Sequence, residues 1–242
     1  MRPIKTLFIS DLHLDPARPE ATARFNRFLE DELPGARALY ILGDLFEYWV
    51  GDDGLALEFP GAIASDLKRA SRFAPLFFMH GNRDFLAAEG FARATGAKLM
   101  ADPTRIDLYG RPALLMHGDT LCTDDTAYQR FRAQVHDPKW QRATLARPLA
   151  ERMAMAESFR EQSEGAKQGK SVEIMDVSPS EVERVLAESG CDVLIHGHTH
   201  RPGRHVHHVG GRDRERWVLP DWYGPGGYLE ASAAGIRAVS AA

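Results

Sequence analysis

Five short apolar runs in this chain end in clusters of Asp, His and Asn, several of them flanked by Gly. The runs are residues 6–10, 38–42, 76–79, 113–116 and 192–195. The clusters that follow are Asp11 with His13, Asp44, Asn82 with Asp84, His117 with Asp119, and His198 with His200. Apolar runs this short, bounded by turn residues, read as buried strands. Helical periodicity lies between several of them. Over residues 20–33, Ala21, Phe25, Phe28, Leu29 and Leu33 share one face, and Pro34-Gly35 ends the helix. Residues 62–73 and 86–95 are expected to be helical as well. Strand–helix alternation predicts an α/β fold with a partly parallel sheet. In such sheets sites form beyond the carboxyl ends of the strands, so the five clusters should meet at one edge.

Two regions depart from the alternation. Residues 124–170 carry long helical stretches and no strand signal, and residues 204–242 suggest short antiparallel strands with Gly turns. The expected organisation is one domain over 1–242 with a helical insertion at about 124–170. At 242 residues and 44% hydrophobic, the chain can bury a sizeable core. Its net charge of −4 argues against general nucleic-acid binding, which needs a basic surplus. No 18-residue apolar stretch is present to span a bilayer, and the first ten residues do not resemble a signal peptide. Cys122 and Cys191 are expected to be reduced thiols.

A lone Asp after a strand is usually a turn residue or a helix cap, and a lone His is usually no ligand. Five such clusters, each after its own apolar run, exceed what turn chemistry explains. Carboxylates, imidazoles and one amide converging on a point are a metal-ligand set. The mix of hard oxygen and borderline nitrogen suits Mn²⁺, Fe²⁺ or Zn²⁺ better than Ca²⁺.

Asp11-Leu-His13, Gly43-Asp44, Gly81-Asn-Arg-Asp84, His117-Gly-Asp119 and Gly197-His-Thr-His200 resemble, in order, the signature of the calcineurin-like metallophosphoesterases. That resemblance implies a double β-sheet sandwich flanked by helices, with two metal ions. Longer strings are similar to the bacterial UDP-2,3-diacylglucosamine pyrophosphohydrolases of lipid A synthesis. They include Leu39-Tyr-Ile-Leu-Gly-Asp-Leu-Phe46, His80-Gly-Asn-Arg-Asp-Phe-Leu86, Met116-His-Gly-Asp-Thr-Leu-Cys-Thr-Asp-Asp125 and Ile195-His-Gly-His-Thr-His-Arg-Pro202. The resemblance implies that Asp11, His13, Asp44 and His200 hold one metal and that Asp44, Asn82, His117 and His198 hold the other. Asp44 would then bridge two cations roughly 3.5–4 Å apart. Two Mn²⁺ are the expected cofactors, with Fe²⁺ or Zn²⁺ as alternatives. His196 should orient its loop, Asp84 and Asp119 should receive histidine N–H groups, and His205, His207 and His208 should face solvent.

The superfamily commonly has His where this chain has Arg83, and that His protonates an alkoxide leaving group. Arginine stays protonated and cannot do so. A phosphate monoester leaving group needs charge neutralisation instead, which a guanidinium gives. Arg83 therefore favours pyrophosphate cleavage; the resemblance implies that water attacks the α-phosphorus of the nucleotide and that UMP and 2,3-diacylglucosamine 1-phosphate are the products. By resemblance, Asn82, Arg83 and His198 act at the phosphates, and Asp125, Ser163, Lys167 and Lys170 contact the rest of the substrate. Lys167 stands where the family pattern has Asn.

The insertion holds nine basic and seven acidic residues in a chain that is acidic overall, together with Phe131, Trp140, Met153, Met155 and Phe159. Family resemblance makes it a lipid-binding lid, and the protein a peripheral monomer on the cytoplasmic face of the inner membrane. A soluble phosphodiesterase or phosphatase on the same core, or a metal-free scaffold, are the competing functions.

Overall fold

The computed structural model describes residues 4–168 and 176–241. In chain order its elements open with β1 (Lys5–Ile9), α1 (Pro19–Glu32), β2 (Ala36–Leu42), α2 (Glu58–Ala70), β3 (Leu76–Met79) and α3 (Glu89–Thr95). Three short strands follow, β4 (Lys98–Met100), β5 (Thr104–Leu108) and β6 (Arg111–Leu115). Helices α4 (Thr126–Val135), α5 (Pro138–Leu145), α6 (Leu149–Gln168) and α7 (Pro179–Ser189) come next. The chain ends in β7 (Val193–His196), β8 (Gly203–Val209), β9 (Arg212–Val218), β10 (Gly227–Ser232) and β11 (Gly235–Ser240).

The strands form two sheets, a six-stranded one in the order β11-β10-β1-β2-β3-β4 and a five-stranded one in the order β5-β6-β7-β9-β8. The apolar runs explain this layering. A strand covered on both faces reads as a continuous apolar run, because alternate residues feed opposite cores. In β1, Leu7 and Ile9 join the core under α1–α3, while Phe8 enters the core between the sheets. In β2, Leu39 and Ile41 face the helices and Leu42 faces the second sheet. In β7, Val193 and Ile195 face the first sheet, and Leu194 packs with Val182 and Leu186 of α7. The result is the expected double-sheet arrangement, helices outside and two sheets face to face within.

Several boundaries differ from the sequence expectation. The helix expected over 62–73 spans Glu58–Ala70, because Ser71 onward turns back to lead into β3. Strands β4 and β5 have no counterpart in that expectation. The first has three residues, and the second alternates polar and apolar side chains at a sheet edge. Helix α7 is likewise additional, although Ser178-Pro179 and Glu181 carry an N-terminal signal. The last strands do form antiparallel pairs, β8 with β9 and β10 with β11. The two pairs belong to different sheets, since β9 runs parallel to β7 and β10 runs antiparallel to β1.

The crossing between those pairs passes through Trp222, which is fully buried. Its ring meets Phe25 and Phe28 edge-on, at 6.3 and 5.9 Å between centroids. Its backbone N–H donates to the carbonyl of Asp11 at 3.1 Å. Trp222 thus fastens the last strands to α1 and to the end of β1. Truncation to Ala should cost about 3–5 kcal/mol, because it removes buried apolar surface and leaves a cavity. Urea denaturation measures this, and a destabilisation below about 1 kcal/mol would show that the crossing is held elsewhere.

Candidate metal centre

The backbone at the sheet edge is unusual before any side chain is considered. Asp11, His13, Asp44, His198 and His200 have φ of 56°, 49°, 53°, 67° and 54°. Among the described residues, Tyr109 is the one other non-glycine with positive φ. Asp and His tolerate the left-handed region better than most residues, yet each such conformation costs about 1–3 kcal/mol. Hydrogen bonds between neighbouring strand ends hold it. The Asp11 N–H donates to the Gly43 carbonyl at 3.1 Å, and the His13 N–H to the Asp44 carbonyl at 3.0 Å. Across the sheets, the Asp11 carboxylate accepts the His198 N–H at 2.8 Å. Glycine is required where these loops touch. A Cβ on Gly81 would lie 2.2 Å from Asp44 Oδ1, and one on Gly197 would lie 2.2 Å from Asp11 Oδ2.

This geometry brings all seven expected ligands together. His200 Nε2 lies 3.4 Å from Asp11 Oδ1 and 3.4 Å from His13 Nε2. Asn82 Oδ1 lies 3.1 Å from His117 Nε2 and 2.9 Å from His198 Nδ1. Asp44 stands between the two groups, with Oδ2 3.7 Å from His13 Nε2 and Oδ1 3.8 Å from His117 Nε2. Asp11, His13, Asp44 and His117 are buried. Asp11 Oδ1 has no hydrogen-bond partner among the described residues despite its burial. An orphaned buried carboxylate oxygen amid inward-facing imidazoles fits a cation. Two donor groups sharing one carboxylate fit two.

The titration of these groups expresses the same crowding. Burial would raise the Asp11 carboxyl, but the close approach of His200 and the charges of His200, His117 and His13 outweigh it and hold it far below the usual range. Burial would lower His117, yet Asp44, Asp119 and Asp11 push it up to about 9. His198, enclosed and beside His117, falls to about 4. A proton on His117 partly balances the carboxylates, and divalent cations would balance them by displacing it.

Some neighbours behave differently from expectation. Asp84 receives backbone rather than histidine N–H groups. Its Oδ1 accepts from Gly81 at 2.8 Å and Asp44 at 3.3 Å, and its Oδ2 accepts from Leu45 at 2.8 Å. Burial and the Asp44 charge raise it to about 6. Asp119 instead accepts from Tyr128 Oη and Arg132 Nε of α4, each at 2.6 Å. The outer nitrogen of His117 has a backbone partner, the Leu42 carbonyl at 2.8 Å. His205 and His208 are exposed as expected, but His207 is half-buried and accepts from Arg216 Nε at 3.3 Å. His196 is buried between the Gly197 carbonyl and Arg216, and its described contacts lie outside the cluster.

Two further neighbours of the cluster carry no mark in the sequence reading. Glu47 Oε2 lies 3.4 Å from His13 Nδ1. Burial would raise the Glu47 carboxyl, but His13, Arg83 and Arg160 bring it below its ordinary value. The Tyr223 ring stacks on His13 at 5.1 Å and approaches His200 at 5.5 Å, with the Arg18 guanidinium 4.4 Å from its centroid. Glu47 was findable, being three residues beyond Asp44 on the same loop; no local signal marks Tyr223.

A cavity of about 540 Å³ opens beside the cluster. Asn82, Arg83, His198 and His200 line its polar end. Trp49, Phe85, Phe131, Trp140, Met155 and Phe159 line its apolar part, the last four from α4, α5 and α6. The Arg83 backbone N–H donates to Asp44 Oδ1 at 2.8 Å, and its buried Nε has no partner among the described residues. Asp125 also lines the cavity while capping α4 through the Tyr128 N–H at 3.0 Å. Buried Arg152 ties α6 to the loop after β2, through Asp53 and the Val50 carbonyl. Ser163 and Lys167 fall within α6, and Lys170 lies outside the described residues. No described helix is long and apolar enough to cross a membrane.

Comparison with known proteins agrees with this geometry. The family model of the calcineurin-like phosphoesterases matches residues 4–202. A UDP-2,3-diacylglucosamine hydrolase of Cellvibrio japonicus is 53% identical over 234 residues, covering 96% of this chain and 97% of its own. One of Stenotrophomonas maltophilia is 52% identical over 238 residues, covering 95% of this chain and 96% of its own.

Because Asp84 gathers three backbone amides, Asp84→Asn should do more harm than its size suggests. The introduced amide group would turn N–H toward N–H. A destabilisation of roughly 2–4 kcal/mol is expected, with reduced metal content in the purified protein. Urea denaturation and elemental analysis check both. Unchanged values would mean that the loops hold their shape without this carboxylate.

Proposed function

The chain belongs to the calcineurin-like phosphoesterase family, and we propose that it hydrolyses the pyrophosphate bond of UDP-2,3-diacylglucosamine in lipid A biosynthesis. One observation carries the proposal: the Asp–His–Asn cluster and Arg83 open directly onto a large apolar cavity. A substrate with a diphosphate head and two acyl chains matches both ends of that space. The relatives that share about half of their residues with this chain, over nearly its whole length, carry the name of that hydrolase.

In this reading Asp11, His13, Asp44 and His200 hold one divalent cation, and Asp44, Asn82, His117 and His198 hold the other. We assign both as Mn²⁺. Bound cations supply positive charge to the phosphoryl oxygens and make water more acidic. The protein's part is to place the α-phosphorus in line with the attacking water and to receive the leaving group. Water attacks the α-phosphorus, and the bond from that phosphorus to the bridging oxygen breaks. UMP and 2,3-diacylglucosamine 1-phosphate result. Arg83 neutralises the departing phosphate with a permanent charge, so no general acid is required. Asn82 and His198 touch the phosphates, with His198 as a neutral imidazole at pH 7. Asp125, Ser163, Lys167 and Lys170 contact the remainder of the head.

Helices α4–α6 act as the lid over the acyl chains. Burying chains in the cavity stabilises by about 0.8 kcal/mol per methylene, which makes lipid the larger part of the affinity. We place the protein as a monomer on the cytoplasmic face of the inner membrane, where its substrate lies.

Two experiments test this. Hydrolysis in ¹⁸O-labelled water should put the label in UMP; label in the sugar phosphate would move the attack to the β-phosphorus. Met155→Asp with Phe159→Asp puts charge into the apolar part of the cavity, away from the metal ligands. We expect a more than tenfold drop with the lipid nucleotide and little change with a soluble aryl phosphodiester. The size follows from the fit of apolar groups in a pocket, where one methylene is worth about 1–3 kcal/mol. Circular dichroism and metal content confirm that the variant is intact. Equal drops on both substrates would make the lid a support for the catalytic core rather than a lipid selector.

A further inference from the structure

We propose that Glu47 is a positioning residue for His13, and that with Tyr223 it sets how tightly the first of the two cation positions binds. The proposal rests on the two-cation reading above. His13 is buried, with Nε2 facing Asp44 and His200 and Nδ1 facing away from them. Nδ1 finds no hydrogen bond of good geometry, and the group it faces is Glu47 Oε2 at 3.4 Å. A neutral imidazole has one proton to place. A carboxylate at Nδ1 keeps the proton there and fixes the ring, leaving the Nε2 lone pair for a cation.

Glu47 is itself held in place. It is 7% exposed. Its N–H donates to the Leu14 carbonyl at 3.1 Å, where the chains leaving β1 and β2 run side by side. Tyr223 Oη lies 3.5 Å from Oε2, and Arg160 Nε lies 3.8 Å from Oε1. The Tyr223 ring also covers His13 at an interplanar angle of 26°. The two cation positions therefore differ in their support. His117, in the second group, orients through a neutral backbone carbonyl. His13, in the first, meets a charge. Removing that charge should weaken one position and leave the other.

The test is Mn²⁺ binding by chelator-stripped protein, with free Mn²⁺ read by electron paramagnetic resonance and no activity assay involved. Wild type should bind two ions. Glu47→Gln keeps an acceptor oxygen without the charge and should weaken one position by roughly tenfold. Glu47→Met removes the acceptor and should weaken that position by roughly a hundredfold. The other position should stay within about threefold in both variants, a smaller change than an altered outer partner produces. Two ions bound at wild-type affinity in both variants would overturn the proposal. So would equal weakening of both positions, which marks a merely structural role. Wild type binding fewer than two ions would overturn the two-cation reading, and this proposal with it. A measurement on wild type stands even if Glu47→Met does not fold. In Zn²⁺-loaded protein, two-bond ¹H–¹⁵N correlation should show the His13 proton on Nδ1; a bare Nδ1 overturns the proposal.

Discussion

Asp11 and Asp84 lie out of reach of water, and both turn carboxylate oxygens toward backbone amides of neighbouring strand ends. Buried carboxylates are costly unless such donors surround them. Here that cost is offset by the work they do on the backbone. Asp84 gathers the turns after β2 and β3, and Asp11 binds the turn after β7 to that after β1. Without these ties, five left-handed non-glycine residues at one sheet edge would relax toward ordinary conformations. The inward direction of the imidazoles and of Asp44 depends on that strained backbone. Close approach of the loops depends in turn on Gly81 and Gly197, whose missing side chains leave room for Asp44 and Asp11.

The helices beyond this edge are fastened to it by charge. Asp119 sits two residues past His117; its carboxylate accepts from Tyr128 and Arg132 and its backbone carbonyl from Gln129, so α4 is tied to the same loop that carries a cluster histidine. Arg152 does the equivalent for α6, reaching the loop after β2 with its guanidinium nearly out of solvent. The apolar cavity lies between these two ties. Charged hydrogen bonds are directional, whereas apolar contact is not. The ties therefore fix where the helices stand, and the side chains between them are left to line the space.

The strand endings were legible because each is local. An apolar run, a Gly and an Asp or His within a few residues are enough to predict a buried strand with a polar end. The rule that such ends share one edge then predicts convergence, and the seven strand-end residues that the family resemblance marks as ligands do meet. Burial on both faces was legible for the same reason, since a run such as Leu7-Phe8-Ile9 has no polar face to leave exposed, whereas the second sheet was implied only by the family resemblance. Short or polar strands gave no such sign. Strand β5 alternates like a solvent-facing edge, and β4 has three residues, too few for a pattern.

Partners, by contrast, were set by contacts the sequence does not encode locally. Asp84, a natural histidine acceptor by its position, holds amides 39 and 40 positions away. His207 stands in a polar stretch, yet packs against Arg216 from the adjacent strand. Tyr223 reaches Glu47 across 176 positions, through a crossing between sheets that no periodicity marks. Sequence by itself determined which polar side chains end the strands and that strands would present them together, because apolar periodicity and turn residues act over a few positions. Only the tertiary structure decided which buried polar group faces which, because a buried donor or acceptor is satisfied by whatever the packed sheets bring within about 3 Å, however distant in the chain.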